Sequence, residues 1–217
     1  MLDGLYATII IAVGGLAIGI VIGMLIAVTK VVPKYSPFVK VLSRISDIYV
    51  GFFRGTPMVV QLLLVYYVLL PAMSVRIDSA VTVAVIVFGL NSGAYVSEIM
   101  RSGINSVDQG QLEAGRALGL SYPVAMLRIV IPQAIKNIIP TLGNEFIVLV
   151  KETSVTSFIT VVDLTRAFRG IASANYEYII PYIILAAFYL VIVILITMVI
   201  KLIERRFAKS DRRVSAK

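Results

Sequence analysis

The chain has 217 residues, 59% of them hydrophobic and only 15% charged, with a formal net charge of +8 and a mean hydropathy of +0.95. Soluble domains carry roughly a quarter charged residues, so this composition excludes a soluble enzyme and leaves room for one compact membrane domain over 1–217. No polar segment interleaves aromatic and basic residues, which excludes nucleic acid as a partner, and the absence of Cys and His removes disulfides, thiolate metal sites and the commonest general base.

A hydrocarbon core about 30 Å thick takes about 20 apolar helical residues to cross. The first such run, Leu5 to Val28, starts without a basic leader segment and is read as a retained span. Gly15, Gly19 and Gly23 recur every four residues and line one face of it, where small side chains let another helix approach closely. A packing seam within the chain is the expected use. Lys30, Lys34, Lys40 and Arg44 follow, with Pro33 and Pro37 breaking the helix. From Phe38 to Phe53 apolar and charged residues mix at helical spacing, which predicts an amphipathic helix at the membrane surface. A short second span begins near Thr56 and ends before Pro71. A third covers Ala80 to Met100.

The polar stretch Arg101 to Lys136 contains two predicted short helices. Asp108 is placed to cap the first, with Gln111 three residues on, and Gly119 ends it. Ser121 caps the second, and Pro123 sits in its first turn. A fourth apolar run, Ile138 to Val150, is interrupted by Pro140, Gly143, Asn144 and Glu145. It is too short and too polar to face lipid, so burial within the bundle is expected. Thr153 to Tyr178 is amphipathic. The last span, Ile179 to Ile203, is the most apolar and leads into a basic tail, 204–217. The sum is an all-α membrane protein of about five transmembrane helices. Sixteen of its 20 Lys and Arg fall on one side of the bilayer on this reading, and Arg76, Lys151, Arg166 and Arg169 on the other. The positive-inside rule then places the N-terminus outside and the C-terminus in the cytoplasm.

The loop 108–132 is the most informative segment. Glu113-Ala114-Gly115 is followed after three residues by Gly119, and after nine more by Ile129-x-Ile131-Pro132. Two short helices joined at Gly119 form a compact knob, and Ala114, Gly115 and Ala117 give it a small-residue surface able to enter a cleft. Glu113, read as lying in the first helical turn, suits the positive end of the helix dipole. The pattern resembles the loop signature of importer-type permeases of the ATP-binding cassette superfamily, with Gly115 in place of an Ala and Ile131 in place of a Leu. Phe53-Arg54-Gly55-Thr56-Pro57 with Gln61-Leu62, the stretch Ala94 to Ile104, and Lys151-Glu152-Thr153-Ser154 are similar to stretches of the polar amino acid permeases.

That resemblance implies a type I importer permease fold with a cytoplasmic coupling loop that docks on a partner. It implies two permease subunits, two cassette ATPases, an extracytoplasmic substrate-binding protein and residence in a bacterial cell membrane. A permease homodimer is favoured, because one chain carries both the knob and a plausible ligand set. No G-x-x-x-x-G-K-[S/T] phosphate loop is present. The chain is therefore expected to be no enzyme and to hold no cofactor, ATP and Mg being bound by the partner ATPase.

Polar groups at membrane depth are costly and face a bundle interior or a cavity. Asn91, Ser92, Tyr95, Asn144, Glu145, Glu152 and Asp163 are the candidates for a substrate cavity. Carboxylates suit the ammonium of an amino acid, and their excess leans toward a basic one. Ion pairing competes with that role: Glu98 and Arg101 are three residues apart, and Lys151 or Glu152 could pair with Arg166 or Asp163. The rival functional reading is a secondary, ion-coupled amino acid transporter, which uses more spans and internal repeats. An intramembrane enzyme lacks its residues here, and a structural adaptor leaves the polar groups at depth unexplained.

Overall fold

The computed structural model describes residues 1–33 and 35–214, with 206–214 described by backbone alone. Lys34 and the end of the expected basic tail, 215–217, lie outside the described residues. Among the described residues all regular structure is helical. We label α1 (Leu2–Val31), α2 (Pro37–Gly55), α3 (Met58–Ala72), α4 (Ala80–Asn105), α5 (Gln109–Ala117), α6 (Tyr122–Ala125), α7 (Ile131–Glu152), α8 (Leu164–Asn175) and α9 (Ile179–Val214).

Helices α1, α4 and α9 are each long and apolar enough to cross a membrane. The pair α2 and α3 passes the same test together and is bent by 106°. Helix α2 is the expected amphipathic element. Ser36 caps it by accepting a hydrogen bond from the Phe38 N–H at 3.3 Å, with Pro37 in the first turn. Helix α3 runs through Pro71 to Ala72, past its expected end. A π-helical stretch, Leu64–Leu69, precedes that proline and already disturbs the regular ladder its missing N–H would have joined.

The fourth apolar run is corrected. It is not interrupted: α7 is a continuous helix of 22 residues through Pro140, Gly143, Asn144 and Glu145. At 1.5 Å per residue it is about 33 Å long, enough to cross a core of about 30 Å. Its polar residues are tolerated because it packs on α4, α9 and α1 instead of facing lipid all round. Gly143 leaves room for Ile200, whose Cγ2 would lie 2.7 Å from an added Cβ.

The most extensive helix–helix contact among the described residues is α1 against α4. A Cβ added at Gly15 would lie 2.9 Å from Phe88 Cβ, one at Gly19 2.7 Å from Ser92 Cβ, and one at Gly23 2.6 Å from Val96 Cγ1. The seam is reciprocal, since Gly89 receives Ile18 and Gly93 receives Ile22. Lipid supplies no hydrophobic drive for helix association, so this close approach and its dispersion contacts hold the pair. The glycine stripe is thus the intramolecular seam expected from its spacing. Behind it a core of Ile11, Leu62, Val87, Phe88, Leu149, Val150 and Ile159 joins α1, α3, α4, α7 and the 3₁₀ segment Thr153–Ile159.

Candidate substrate cavity and coupling loop

A cavity of about 340 Å³ lies where the α2–α3 bend, α4 and α7 meet. Asn91, Tyr95, Glu145 and Glu152 line it, with Thr56, Pro57, Met58, Val59, Val148, Leu149 and Val155. Ser92 stands directly behind it: its hydroxyl donates to Glu145 Oε1 at 3.0 Å in a buried bond between α4 and α7. Among the described residues no other donor meets the Glu145 carboxylate, so most of its acceptor capacity is uncommitted. Glu152 has no ion pair or hydrogen bond through its carboxylate among the described residues, and the pairs considered for it and Lys151 with Asp163 and Arg166 do not form. The cavity therefore presents two carboxylates, an amide and a phenol against an apolar wall.

Two sequence candidates stand elsewhere. Asn144 is exposed and outside the cavity, because one residue along a helix turns about 100° away from Glu145. Asp163 is the N-cap of α8. Its carboxylate accepts from the Arg166 N–H at 3.0 Å and the Thr165 N–H at 3.2 Å. Its backbone sits under Gly4 at the start of α1, where a Cβ would lie 2.8 Å from the Asp163 carbonyl oxygen. Burial pushes its carboxyl up from the ordinary value, against the lowering effect of those N–H donors. The role assigned to it by helix capping is structural.

Gln61 carries a task that spacing alone did not single out. Its Nε2 donates to the carbonyls of Phe53 and Thr56 and to Thr56 Oγ1, all at 2.8–2.9 Å, which pins the turn between α2 and α3. Its Oε1 accepts from Asn91 Nδ2 at 2.9 Å. One glutamine thus satisfies the bent backbone and fixes a cavity amide. The readable signal was a lone amide in the apolar run Met58 to Leu70.

Below the cavity, Glu98 accepts from Lys30 Nζ at 2.7 Å and from Arg101 Nη2 at 2.8 Å. Lys30 also reaches Asp47 at 3.3 Å, so α1, α2 and α4 are tied by one charge network. The Glu98–Arg101 pair follows from helical spacing, whereas Lys30 is 68 residues from Glu98 and invisible to it.

The loop forms as two helical pieces. Asp108 caps α5 through the Gly110 N–H at 2.7 Å. Gly119 ends it at φ +86, with the Leu120 N–H on the Gly115 carbonyl at 3.2 Å and the Gly119 N–H on Arg116 at 3.0 Å. This is a Schellman closure, which needs the left-handed residue that glycine supplies. Ser121 holds the N-cap position of α6 without a side-chain cap bond. The placement of Glu113 is corrected: α5 starts at Gln109, so Glu113 is its fifth residue, beyond the first turn where the dipole acts. Gly115 has a steric reason, since a Cβ there would lie 2.7 Å from Ile129 Cδ1. Ile129 belongs to a π-helical stretch, Met126–Val130, that leads into Ile131 and Pro132 at the start of α7. Glu113, Ala114, Ala117 and Leu118 are left exposed as the outer surface of the knob.

A helical membrane bundle with a polar cavity at depth and a capped loop knob is the architecture of a transport subunit, and comparison with known proteins gives the family. The chain belongs to the family of binding-protein-dependent transport system inner membrane components, whose family model matches residues 7–209. It is 39% identical over 211 residues to the arginine transport system permease protein ArtQ of Bacillus subtilis, covering 97% of this chain and 94% of that protein. It is 40% identical over 213 residues to the L-cystine transport system permease protein TcyB of the same organism, covering 98% and 87%. A crystal structure of an amino acid ABC transporter with histidines superposes with a TM-score of 0.84 at 43% identity, covering 94% of this chain and 92% of that one. The type I importer permease fold and the assignment as a multi-pass inner-membrane subunit of an ATP-driven importer follow. The secondary-transporter alternative receives no support from these relatives.

Proposed function

We propose that this chain is the permease of an uptake system for a polar amino acid, and that the cavity of Asn91, Tyr95, Glu145 and Glu152 is where the substrate rests during passage. The observation that carries the reading is the pair of carboxylates in one small cavity between α4 and α7, Glu145 with a single side-chain donor and Glu152 with none among the described residues. A buried carboxylate short of donors gains most from a cationic group, because few other charges compete at low dielectric. The two carboxylates favour a substrate with a second cationic centre, so the preference is for basic amino acids. That relatives carry arginine and cystine in their names agrees with a polar amino acid as the class.

Energy enters from a partner. Cassette ATPase subunits bind ATP and Mg, and the knob of Ala114, Ala117 and Leu118 is the surface they grip. An extracytoplasmic binding protein delivers the substrate to the opposite face, two copies of the chain form the membrane unit, and the N-terminus lies outside with the C-terminus in the cytoplasm. The Lys and Arg distribution supports that orientation.

The test is ATP hydrolysis in proteoliposomes containing this chain and its neighbouring cassette ATPase, with binding protein loaded with arginine, histidine or glutamine. Stimulation by a loaded binding protein is expected, greatest for a basic amino acid. Hydrolysis indifferent to any loaded binding protein overturns the reading.

A further inference from the structure

A second cavity, of about 640 Å³, lies on the loop side of the first. It is lined by Arg54, Tyr95, Glu98, Ser102, Asn137 and Thr141 among others, and it runs along the end of α4 that leads into the loop. The two cavities share a single lining residue, Tyr95. The guanidinium of Arg54 lies over that ring, 5.5 Å from its centroid, within the range of a cation–π contact. Two residues past Arg54, Thr56 lines the first cavity and is fixed by Gln61. The bend between α2 and α3 therefore borders both spaces.

Arg54 has a second partner within reach. Its Nη1 is 4.0 Å from Glu98 Oε2, at the limit of an ion pair, while Glu98 is held closely by Lys30 and Arg101. Half-exposed and weakly paired, the Arg54 head is the loosest cation of the network. In one position, at the end of α2 beside the bend, Arg54 thus reaches both the ring and the carboxylate, each at the outer part of its range.

We propose that the two cavities are one translocation path and that the Arg54–Tyr95 stack is the partition between them. With Arg54 on the ring the substrate cavity is closed toward the loop side. With Arg54 transferred to Glu98 it opens, and the substrate passes into the larger vestibule. Arg54 also offers a guanidinium at the junction to a departing substrate carboxylate, which gives an amino acid a reason to leave carboxylate-lined ground. The inference rests on the cavity being the substrate site, as proposed above.

The native chain has no Cys, so a single introduced thiol reports cleanly. Met58→Cys places it at a buried position of the substrate cavity wall. In inside-out vesicles carrying the chain with its cassette ATPase, and no nucleotide, labelling by a membrane-impermeant maleimide is read as a rate. Arg54→Ala in this background is expected to raise that rate at least tenfold, and Arg54→Lys, which keeps a cation for the ring, to raise it less. If Arg54→Ala does not assemble with the ATPase, Arg54→Gln gives the same comparison with the side-chain length kept. Equal rates across the Arg54 series overturn the partition. Stimulation of the wild-type ATPase by loaded binding protein does not depend on the labelling rate, so failure of the partition and failure of the uptake reading are separable.

Discussion

Ser92 of α4 and Glu145 of α7 are joined by a buried hydrogen bond of 3.0 Å at the wall of the first cavity, 53 residues apart in sequence. Ser92 is in turn pressed by Gly19 of α1, where any side chain would meet its Cβ and Oγ at 2.7 Å. The carboxylate thus takes its position from a glycine on a third helix. Ser92→Ala leaves Glu145 without its protein donor. It is expected to cost about 0.6–2 kcal/mol of stability and to weaken substrate-dependent ATPase stimulation, read as a higher half-saturating concentration of loaded binding protein. An unchanged half-saturation would remove Ser92 from the site.

Neutralising the cavity carboxylates is the direct probe of specificity. Glu145→Gln with Glu152→Gln is expected to reduce uptake of a basic amino acid at least tenfold, a change of about 1.4 kcal/mol or more, and to reduce uptake of a neutral one less. Parallel losses for arginine and glutamine would show that the carboxylates do not read substrate charge.

At the seam, Gly19→Val forces α1 and α4 apart, since its branched side chain has no volume to enter. The expected outcome is failure of the purified subunit to remain monodisperse in detergent. Gly51, whose added Cβ meets nothing within 4 Å, is the matched control, and Gly51→Ala should behave as wild type.

Loop geometry makes a separate prediction. Gly119→Val places a β-branched residue at φ +86, a strain of about 1–3 kcal/mol, and unwinds the Schellman closure. Membrane insertion should persist while co-purification of the cassette ATPase falls. Leu118→Asp, which alters an exposed surface residue and leaves the backbone alone, should give the same loss if the knob is the gripped surface. Retained co-purification in both would move the contact elsewhere.

Asp163 provides a pH signature. Its carboxyl is raised by burial, so the folded state holds the proton more tightly than the unfolded chain does. The associated stability is fully present below the unfolded pKa and is lost as pH rises through the folded one. Asp163→Asn keeps an acceptor for the α8 cap without the buried charge. It is expected to match or exceed the wild-type melting temperature at neutral pH, with the gap shrinking as pH falls through the carboxylate range. Asp163→Ala removes the cap as well and should lie about 1 kcal/mol below the asparagine variant at any pH. A pH-independent gap for the asparagine variant would show that burial does not govern this carboxyl.

Local rules made most of the fold legible. Helical spans, the glycine seam, the Asp108 cap and the Gly119 stop all depend on neighbours within a turn or on a fixed period. The cavity was half legible: cost at membrane depth singled out Asn91, Ser92, Tyr95, Glu145 and Glu152, but it applies equally to Asn144 and Asp163. What separates them is rotation about a helix axis and a cap, both decided by tertiary packing. Pro140 and Gly143 suggested a break in α7 because their local cost is real, yet neighbouring helices cover that stretch and the ladder continues. Gln61 and Lys30 went unassigned because their partners come from other elements and no sequence interval encodes them.

Helices α4 and α7 lead to opposite ends of the coupling loop, α4 from Asn105 and α7 from Ile131, and both carry cavity residues. The loop is then the fulcrum of a pair of tongs, with the Ser92–Glu145 bond as the catch between the blades. Asn91 lies 14 residues from the end of α4, a lever arm of about 21 Å at 1.5 Å per residue. A tilt of about 5° at the knob moves the level of Asn91 by about 2 Å on that arm, enough to take a hydrogen bond out of range. A tilt at the loop therefore carries to the level of the cavity without any helix having to unfold.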